Sequence, residues 1–307
     1  MKKNMEENFK KLDDRLYDAL YRTDLEKIRY ELKKINEPIL VTGVGGSSVV
    51  ANYAAGILNK KNNIITRCVD PRDFKYLNTN GYKSVMACSY SGNTSGIKLA
   101  FSNDMKHYLF AGRESELDDV TSLTYNCKDK EHSFISLAST LIPCGVLLSY
   151  YYDNIRDYID YIFDNTDPYM FDFDVNCDVF EIFSGLETST ASKYLESTMV
   201  EAGIGVPVIH DKYSYCHGRS TLSTTSNSTA IYFNLNTELD KLLVNELPKY
   251  YKEVIVLNAN CSPMSEYFLL VKCIYLTKYI AERKQKDLSG IDYCQIVRKI
   301  YDFKGSV

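Results

Sequence analysis

The sequence lacks the clustered basic residues that nucleic-acid-binding and membrane-surface proteins use. The formal net charge is -4, and the 36 Lys and Arg residues are scattered without a polybasic run. Affinity for phosphate backbones and for anionic lipid depends on such clusters. We therefore expect no nucleic-acid partner and no membrane partner, so that any bound anion must be held by local groups.

Long apolar segments are also lacking. "MKKNMEENFKKLDDRLYDAL" interrupts each apolar stretch with charge, and later apolar runs are too short to cross a bilayer. This predicts neither a signal peptide nor a membrane span. The nine cysteines form no CxxC pair and mostly lie in apolar runs. That pattern indicates reduced core thiols in a cytoplasmic protein, with no metal site.

What is present is the composition of a globular protein, with 307 residues of which 45% are hydrophobic and 25% charged. Helical spacing of apolar positions at about 5–35 predicts two amphipathic helices that break near "RTD". After Pro38, short apolar runs alternate with helix-length segments. The runs are "ILVTGV", "IITRCVD", "SVMACS", "HYLFAG" and "SLTYNC". Alternating strands and helices favour a mostly parallel sheet.

The same alternation returns in the second half of the chain. A predicted helix, "SFISLASTLIPCGVLLSYYYDNI", closes the first half, and a tyrosine- and aspartate-rich connection follows at about 157–178. We interpret the stretch at 157–178 as the end of that helix plus an interdomain connection. The later strands are "VFEIFSG", "VPVIHD", "TAIYFNL" and "EVIVLNA", before a long helix at about 263–283. We predict an α/β fold of two tandem domains at 36–160 and 175–307. Each is a mostly parallel sheet flanked by helices, and a helical segment, 1–35, precedes them.

Two loops carry small hydrogen-bond donors directly after predicted strands. "GVGGSS" is a glycine-rich turn into a helix that begins near Ser47 or Ser48, and "CSYSGNT" offers hydroxyls around Gly92. Free N–H groups at a helix start favour an anion such as phosphate. Two alternatives stay open. Asp70 at the end of "IITRCVD" suits a dinucleotide site, although Ser48 stands where GxGxxG needs glycine; otherwise the hydroxyls only cap helices.

"GVGGSS", "CSYSGNT" and "HSFISLAST" together resemble the sugar isomerase (SIS) family over about residues 35–300. Its members include the isomerase part of glutamine:fructose-6-phosphate amidotransferase, phosphoglucose/phosphomannose isomerases and fructosamine-phosphate deglycases. The resemblance implies two SIS-type domains and a sugar-phosphate substrate. The residues it implies for the phosphate are Ser47, Ser89, Tyr90 (backbone), Ser91 and Thr94. It also implies that Gly45 and Ser139 lie near the sugar.

Aldose–ketose isomerisation needs a base that moves a proton between C1 and C2, and an acid/base that opens the ring. Glutamate and histidine suit these tasks because burial and neighbours can bring their pKa near neutrality. "VEAGIGVPVIHDKYSYCHGRS" places Glu201 near a helix end and His217 in a loop 16 residues later. The resemblance implies that Glu201 is the proton shuttle and His217 the ring-opening catalyst, without metal or organic cofactor. It also implies a homodimer with shared active sites, since in several relatives this histidine enters the partner's site.

Other titratable residues are weaker candidates. Lys299, in "DLSGIDYCQIVRKIYDF", resembles the active-site lysine of amidotransferase-type members, and it could form a Schiff base or act as an acid. His210 is the rival histidine, but its strand context indicates a packed role. His107 lies near an element boundary, and His132 is a candidate for capping or substrate contact.

The sequence thus predicts a phosphosugar-processing enzyme, either an aldose–ketose isomerase or a ketosamine-phosphate deglycase. "YLESTMVE" has no lysine just ahead of Glu201, which disfavours amination chemistry. "CHGR" resembles the amidotransferase and deglycase branches, whereas "SYSGNT" resembles the phosphoglucose/phosphomannose branch, so the sugar stays open. The alternative is a non-catalytic regulatory protein that binds a sugar phosphate.

Overall fold

The computed structural model describes residues 8–92, 94–114, 117–127, 131, 133–225, 227–259 and 264–290. It begins with two short helices, α1 (Leu12–Arg22) and α2 (Leu25–Lys34). Both bury one apolar stripe, and Asp24 caps α2 by accepting a hydrogen bond from the N–H of Lys27. The predicted break at "RTD" is confirmed.

The first sheet is parallel and has five strands in the order β2-β1-β3-β4-β5. The strands are β1 (Ile39–Thr42), β2 (Thr66–Cys68), β3 (Ser84–Ser89), β4 (Lys106–Ala111) and β5 (Val120–Thr124). The helices α3 (Gly46–Asn62) and α4 (Ser95–Ala100) and a 3-10 turn, Pro71–Tyr76, connect them. Strands β1 and β3 are buried throughout, as expected for a parallel sheet covered on both faces.

Two helices separate the sheets, and here the structure corrects the sequence prediction. Helix α5 spans only Ala138–Leu148, rather than the whole of 133–155. The stretch predicted as a helix end and a connection contains a separate helix, α6 (Ile155–Asp164). Helix α6 forms because Ile155, Ile159 and Ile162 recur on one face and are buried.

The second sheet is also parallel and has four strands in the order β7-β6-β8-β9. Its strands are β6 (Val179–Ser184), β7 (Val206–Asp211), β8 (Ser228–Asn234) and β9 (Val254–Asn258). Its helices are α7 (Ser189–Glu201), α8 (Thr221–Thr225), α9 (Glu238–Glu246) and α10 (Ser265–Arg283). Short 3-10 turns cover Leu186–Thr188, Ser214–Cys216 and Leu247–Lys249.

In each sheet the strand order reverses beside the first strand in sequence, between β1 and β3 and between β6 and β8. Loops diverge at such switch points and leave a crevice at the carboxyl ends of the strands. One apolar core reaches residues of both halves, including Tyr53, Leu141, Tyr194 and Leu270. Because the two halves share this core, the domain limits at 36–160 and 175–307 stay a prediction. Within the described residues, no helix has the length and apolar character needed to cross a bilayer.

Candidate functional site

The glycine-rich turn after β1 leads directly into α3. Gly45 has φ of 60°, which favours glycine, and a Cβ at Gly43 would lie 2.3 Å from the carbonyl oxygen of Ser47. Helix α3 has no side-chain cap at Gly45. Ser47 therefore lies in a first helical turn whose N–H groups can donate hydrogen bonds to an external anion.

The second predicted loop follows β3 and contacts the first. Ser89 is buried and accepts a hydrogen bond from the N–H of Gly92 at 3.3 Å, while Ser91 and Thr94 are exposed. Thr94 precedes α4 but makes no side-chain cap. A Cβ at Gly96 would lie 3.0 Å from the Val44 side chain of the first loop. Because β1 and β3 are adjacent and parallel, the structure brings both donor-rich loops together at one switch point.

Arg113 is a cation beside this loop that the sequence analysis missed. It follows β4, and its carbonyl oxygen would lie 3.4 Å from a Cβ at Gly92. Burial raises the pKa of Tyr90, and the Arg113 and Arg15 guanidinium groups oppose that rise. Arg113 is exposed, and the described residues offer its side chain no hydrogen-bond or ion-pair partner. Its signal in the sequence is a basic residue just past the strand that follows "CSYSGNT".

A carboxylate of the protein occupies the start of α5. Glu131 accepts hydrogen bonds from the N–H groups of residues 137, 138 and 139 at 3.0, 2.6 and 3.2 Å, and also from the Ser139 hydroxyl. The Arg15 guanidinium from α1 lies 3.6 Å from the same carboxylate. The Ser139 hydroxyl, predicted to lie near the sugar, is therefore bonded within the protein.

Ser136 lies closer to the glycine-rich turn than Ser139, the residue that was predicted to lie near the sugar. Its Oγ would be 3.0 Å from a Cβ at Gly46, so it lies against the first residue of α3. It exchanges hydrogen bonds of 2.6 Å with the hydroxyls of Ser139 and Thr140. Ser136 is the hydroxyl of this cluster that is placed to reach a ligand at the turn, although the motif "LAST" pointed to Ser139.

Helix α7 of the second half crosses α3 in the opposite direction. Asn52 of α3 donates hydrogen bonds to the hydroxyls of Ser189 and Thr190 at the start of α7, at 3.1 and 3.0 Å. Further along α7, the Tyr194 hydroxyl donates to the carbonyl oxygen of Ser136 at 2.9 Å, beside the start of α3. Glu201 is two turns, or about 10 Å, further along α7. Its position is therefore beyond the open N-terminus of α3.

The Glu201 carboxylate is half-buried and accepts one hydrogen bond, from the Ser197 hydroxyl at 3.2 Å. Burial raises its pKa, the Ser197 hydrogen bond opposes the rise, and the Glu196 charge adds to it. Burial likewise raises the pKa of Tyr194, and the charges of Glu131 and Glu201 raise it further. Glu201 thus combines a half-buried position on α7 with the raised pKa that suits a proton-transfer group.

His217 lies in the segment between β7 and α8. It follows the turn Ser214–Cys216 and is exposed, next to Gly218 with φ of 86°. Among the described residues, no hydrogen bond or ion pair joins its imidazole to another group. Lys299 and His132 lie outside the described residues.

Three other candidates already have partners. His210 is 1% exposed in β7. His107 stacks on Phe101 with ring centroids 4.6 Å apart. Asp70, which suggested a dinucleotide site, caps the turn Pro71–Tyr76 and binds the Arg72 guanidinium at 2.7 and 2.6 Å. The Arg72 hydrogen bond is the main reason why the pKa of Asp70 is lowered.

Carboxylates of the chain also occupy the helix starts at the second switch point. Asp240 accepts hydrogen bonds from the N–H groups of Leu235 and Thr237, each at 3.0 Å, and from Lys212. Glu266 of α10 accepts one from the N–H of Thr190 at 2.5 Å. Among the described residues, carboxylates thus fill these two helix starts, whereas α3 begins without a side-chain cap.

In the described residues, no three His, Cys, Asp or Glu side chains are grouped to hold a metal ion. A cleft of about 280 Å³ lies elsewhere, between residues 168–171 and the last turns of α10. Its lining contains none of the residues discussed above.

No family model matches the sequence, and no curated protein matches it significantly. Its fold is similar to tagatose-6-phosphate ketose/aldose isomerase from Escherichia coli, with TM-score 0.72, 15% identity and coverage of 94% of this chain and 96% of that one. Glucosamine-6-phosphate deaminase from Thermotoga maritima gives 0.69 and 15%, covering 92% and 95%. The C-terminal domain of glucosamine-fructose-6-phosphate aminotransferase from Francisella tularensis gives 0.66 and 13%, covering 93% and 97%. The α/β fold is thus of the sugar-isomerase (SIS) type.

Proposed function

We propose that the protein is a phosphosugar-processing enzyme that moves a proton between C1 and C2 of an open-chain sugar phosphate. The reaction is aldose–ketose isomerisation or ketosamine-phosphate deglycation. The carrying observation is the antiparallel packing of α3 and α7, in which Asn52 bonds the start of α7 and Tyr194 bonds Ser136. This packing supports a position of Glu201 near the donor-rich loops of the other half. The fold of the solved phosphosugar enzymes supports the substrate class.

The phosphate binds at the switch point of the first sheet. Its ligands are the hydroxyls of Ser47, Ser89, Ser91 and Thr94 and the backbone at Tyr90, assisted by the N–H groups at the start of α3. Arg113 adds a full positive charge at this edge. Anchoring the phosphate lets binding energy orient C1 and C2. Gly45 and Ser136 lie near the sugar, and Glu131 keeps Ser139 in place.

Glu201 acts on the carbon chain. In an open-chain aldose, the carbonyl acidifies the proton on C2, and the Glu201 carboxylate removes it while the electron pair moves towards O1. Return of the proton to C1, with transfer of the O2 proton, yields the ketose. In a ketosamine phosphate, Glu201 removes a proton from C1 and returns it to C2 while the N–H proton moves to O2, which leaves an imine at C1. Water then adds to C1 and the C1–N bond breaks, so that the amine and the aldose phosphate are released. No cofactor enters either scheme.

His217 opens the sugar ring, and it does so from the partner subunit of a homodimer. Its exposed position and lack of a side-chain partner within the described residues support this arrangement. The two domains at 36–160 and 175–307 then divide the work, the first binding phosphate and the second supplying Glu201 and His217.

The test is deuterium exchange by NMR. Purified protein in heavy water is given hexose 6-phosphates, pentose 5-phosphates and fructosamine 6-phosphate. We expect deuterium at C1 or C2 with at least one substrate. Glu201→Gln should abolish exchange, a loss of at least about 100-fold, while sugar-phosphate binding measured by calorimetry persists. Glu196→Gln, on the same helix, is the matched control that retains exchange.

Two results would contradict the proposal. Undiminished exchange in Glu201→Gln would remove the assigned base. Saturable binding with neither exchange nor product across the whole panel would favour the alternative, a regulatory protein that binds a sugar phosphate without converting it.

A further inference from the structure

A chain of hydrogen bonds runs from the buried centre of the second sheet to the exposed Arg219, in the loop that carries His217. Glu181 of β6 is fully buried, and its carboxylate lies 2.9 Å from Nε2 of His210 on β7. On the other side of the ring, Nδ1 of His210 accepts a hydrogen bond from Nε of Arg219 at 2.8 Å. Arg219 also donates from Nη2 to the carbonyl oxygen of Ile209 at 2.9 Å.

The partners fix the charge state of this chain. Burial alone would raise the pKa of Glu181, but hydrogen bonds from His210, Ser228 and Tyr251 outweigh it and lower the pKa. A carboxylate only accepts, so Nε2 of His210 carries the proton; a guanidinium only donates, so Nδ1 is bare. A neutral imidazole therefore connects the buried negative charge to the positive charge of Arg219.

The anchored segment is the loop 212–220 between β7 and α8. At its start, Asp211 accepts hydrogen bonds from the N–H groups of Tyr213 and Ser214 at 3.1 and 2.9 Å. Near its end, Arg219 binds His210. Between these anchors lies the exposed His217, with Gly218 beside it at a φ that glycine favours.

Tyr215 ties the same loop to the same buried centre. Its ring packs edge-on against His210 with centroids 5.3 Å apart, and its hydroxyl lies 3.0 Å from that of Tyr251. Tyr251 in turn donates to Glu181 at 2.8 Å. The loop is thus connected to Glu181 by two routes, one through the imidazole and one through the two tyrosines.

We propose that Glu181 and His210 are positioning residues that, through Arg219, hold the loop 212–220 so that His217 is presented for ring opening. This inference rests on the proposed function, in which His217 is the ring-opening catalyst. A buried carboxylate and imidazole that touch no substrate would then act on only one step of the reaction.

The kinetic test compares two substrates and two variants. An analogue of the substrate without the C4 and C5 hydroxyls cannot close a ring, so it bypasses ring opening. His210→Leu removes both hydrogen bonds, whereas His210→Gln keeps a donor and an acceptor. We expect His210→Leu to lose about tenfold or more in kcat on the ring-forming substrate, within the range of a misplaced acid–base group. Exchange on the analogue should not change, and His210→Gln should restore most of the loss.

Hydrogen exchange of the loop 212–220 tests the positioning without relying on catalysis. Amide protection in this loop should fall in His210→Leu and recover in His210→Gln, while β6 and β8 stay protected in both. Unchanged loop protection, or equal losses of activity on both substrates, would overturn the inference. If wild type exchanges no substrate, the proposed function fails, and loop protection alone still decides whether His210 holds the loop.

Discussion

At the scale of single residues, three separate effects set the pKa of Glu201: burial and two neighbours. Burial and the Glu196 charge raise its pKa, and the Ser197 hydrogen bond lowers it. A base must be ionised to accept a proton, so kcat/KM should fall as pH drops through the Glu201 pKa. Since that pKa is raised, this acid limb should lie above the ordinary range of glutamate, which is near 4.3.

Two variants shift this limb in opposite directions. Ser197→Ala removes the hydrogen bond that lowers the pKa and should move the limb to higher pH. Glu196→Gln removes a negative charge and should move it to lower pH. The measurement is the pH profile of the exchange rate for wild type and both variants. Shifts of the same sign, or no shift in either variant, would show that another group sets the limb.

Arg113 should contribute to affinity through charge. An arginine beside a phosphate adds a charge-assisted hydrogen bond, so Arg113→Met should raise KM about tenfold while kcat changes little. The difference from wild type should shrink in high salt, because this side chain is exposed. Arg156→Met on α6 is the control with the same change in net charge. A KM equal to that of the control at low salt would place the phosphate elsewhere.

At the scale of elements, α10 and α7 are coupled by a buried glutamate. Glu266 accepts the Thr190 N–H at the start of α7, and burial raises its pKa from 4.5 to about 7. Between these values the folded state binds a proton that the unfolded chain has released. The contribution of Glu266 to stability should therefore decrease as pH rises from about 4.5 to 7 and then level off, by on the order of 3 kcal/mol.

Glu266→Gln isolates this contribution, since glutamine keeps an oxygen that can accept the Thr190 N–H but cannot ionise. Urea unfolding of wild type and variant, carried out at about pH 5 and at about pH 8, gives the difference in stability at each pH. The variant should gain stability relative to wild type at the higher pH. An equal difference between the two proteins at both pH values would mean that Glu266 ionises normally in the fold.

Sequence patterns predicted most strands because each is a short, locally bounded apolar run. "SVMACS" and "HYLFAG" became β3 and β4 within one residue. Helix boundaries were poorer where distant groups determine them. Helix α5 begins at Ala138 because the Glu131 carboxylate caps it there, and α6 was missed because tyrosines and aspartates concealed its isoleucine stripe.

The parts of the candidate site also differ in how far the sequence predicts them. The loops at 43–48 and 89–94 were predictable because glycines and hydroxyls directly follow strands. Arg113 and Ser136 were not, because their relevance depends on β4 lying beside β3 and on α5 starting against Gly46. The chain from Glu181 to Arg219 joins residues 38 positions apart in sequence, and no local pattern reveals such a pairing.

At the scale of the whole molecule, several exposed apolar side chains lie close in sequence to the proposed catalytic residues. Val200, next to Glu201, is 56% exposed, and Val206 and Ile209 of the edge strand β7 are 58% and 37% exposed. Tyr213, in the loop of His217, is 74% exposed. Exposed apolar side chains on and beside an edge strand are typical of contact surfaces. They agree with the proposed homodimer.

Shared active sites make a prediction that no single variant can test. Glu201→Gln and His217→Asn should each be inactive, since each homodimer lacks one catalytic group in both sites. If His217 serves the partner, a mixed dimer contains one site with the glutamate of one chain and the histidine of the other. Unfolding and refolding the two variants together at equal amounts should then restore about a quarter of wild-type activity, because half of the dimers are mixed and each has one intact site. If both residues serve the same chain, every site in the mixture stays defective and no activity returns. Mixing without unfolding is the control, and activity should appear there only as fast as subunits exchange.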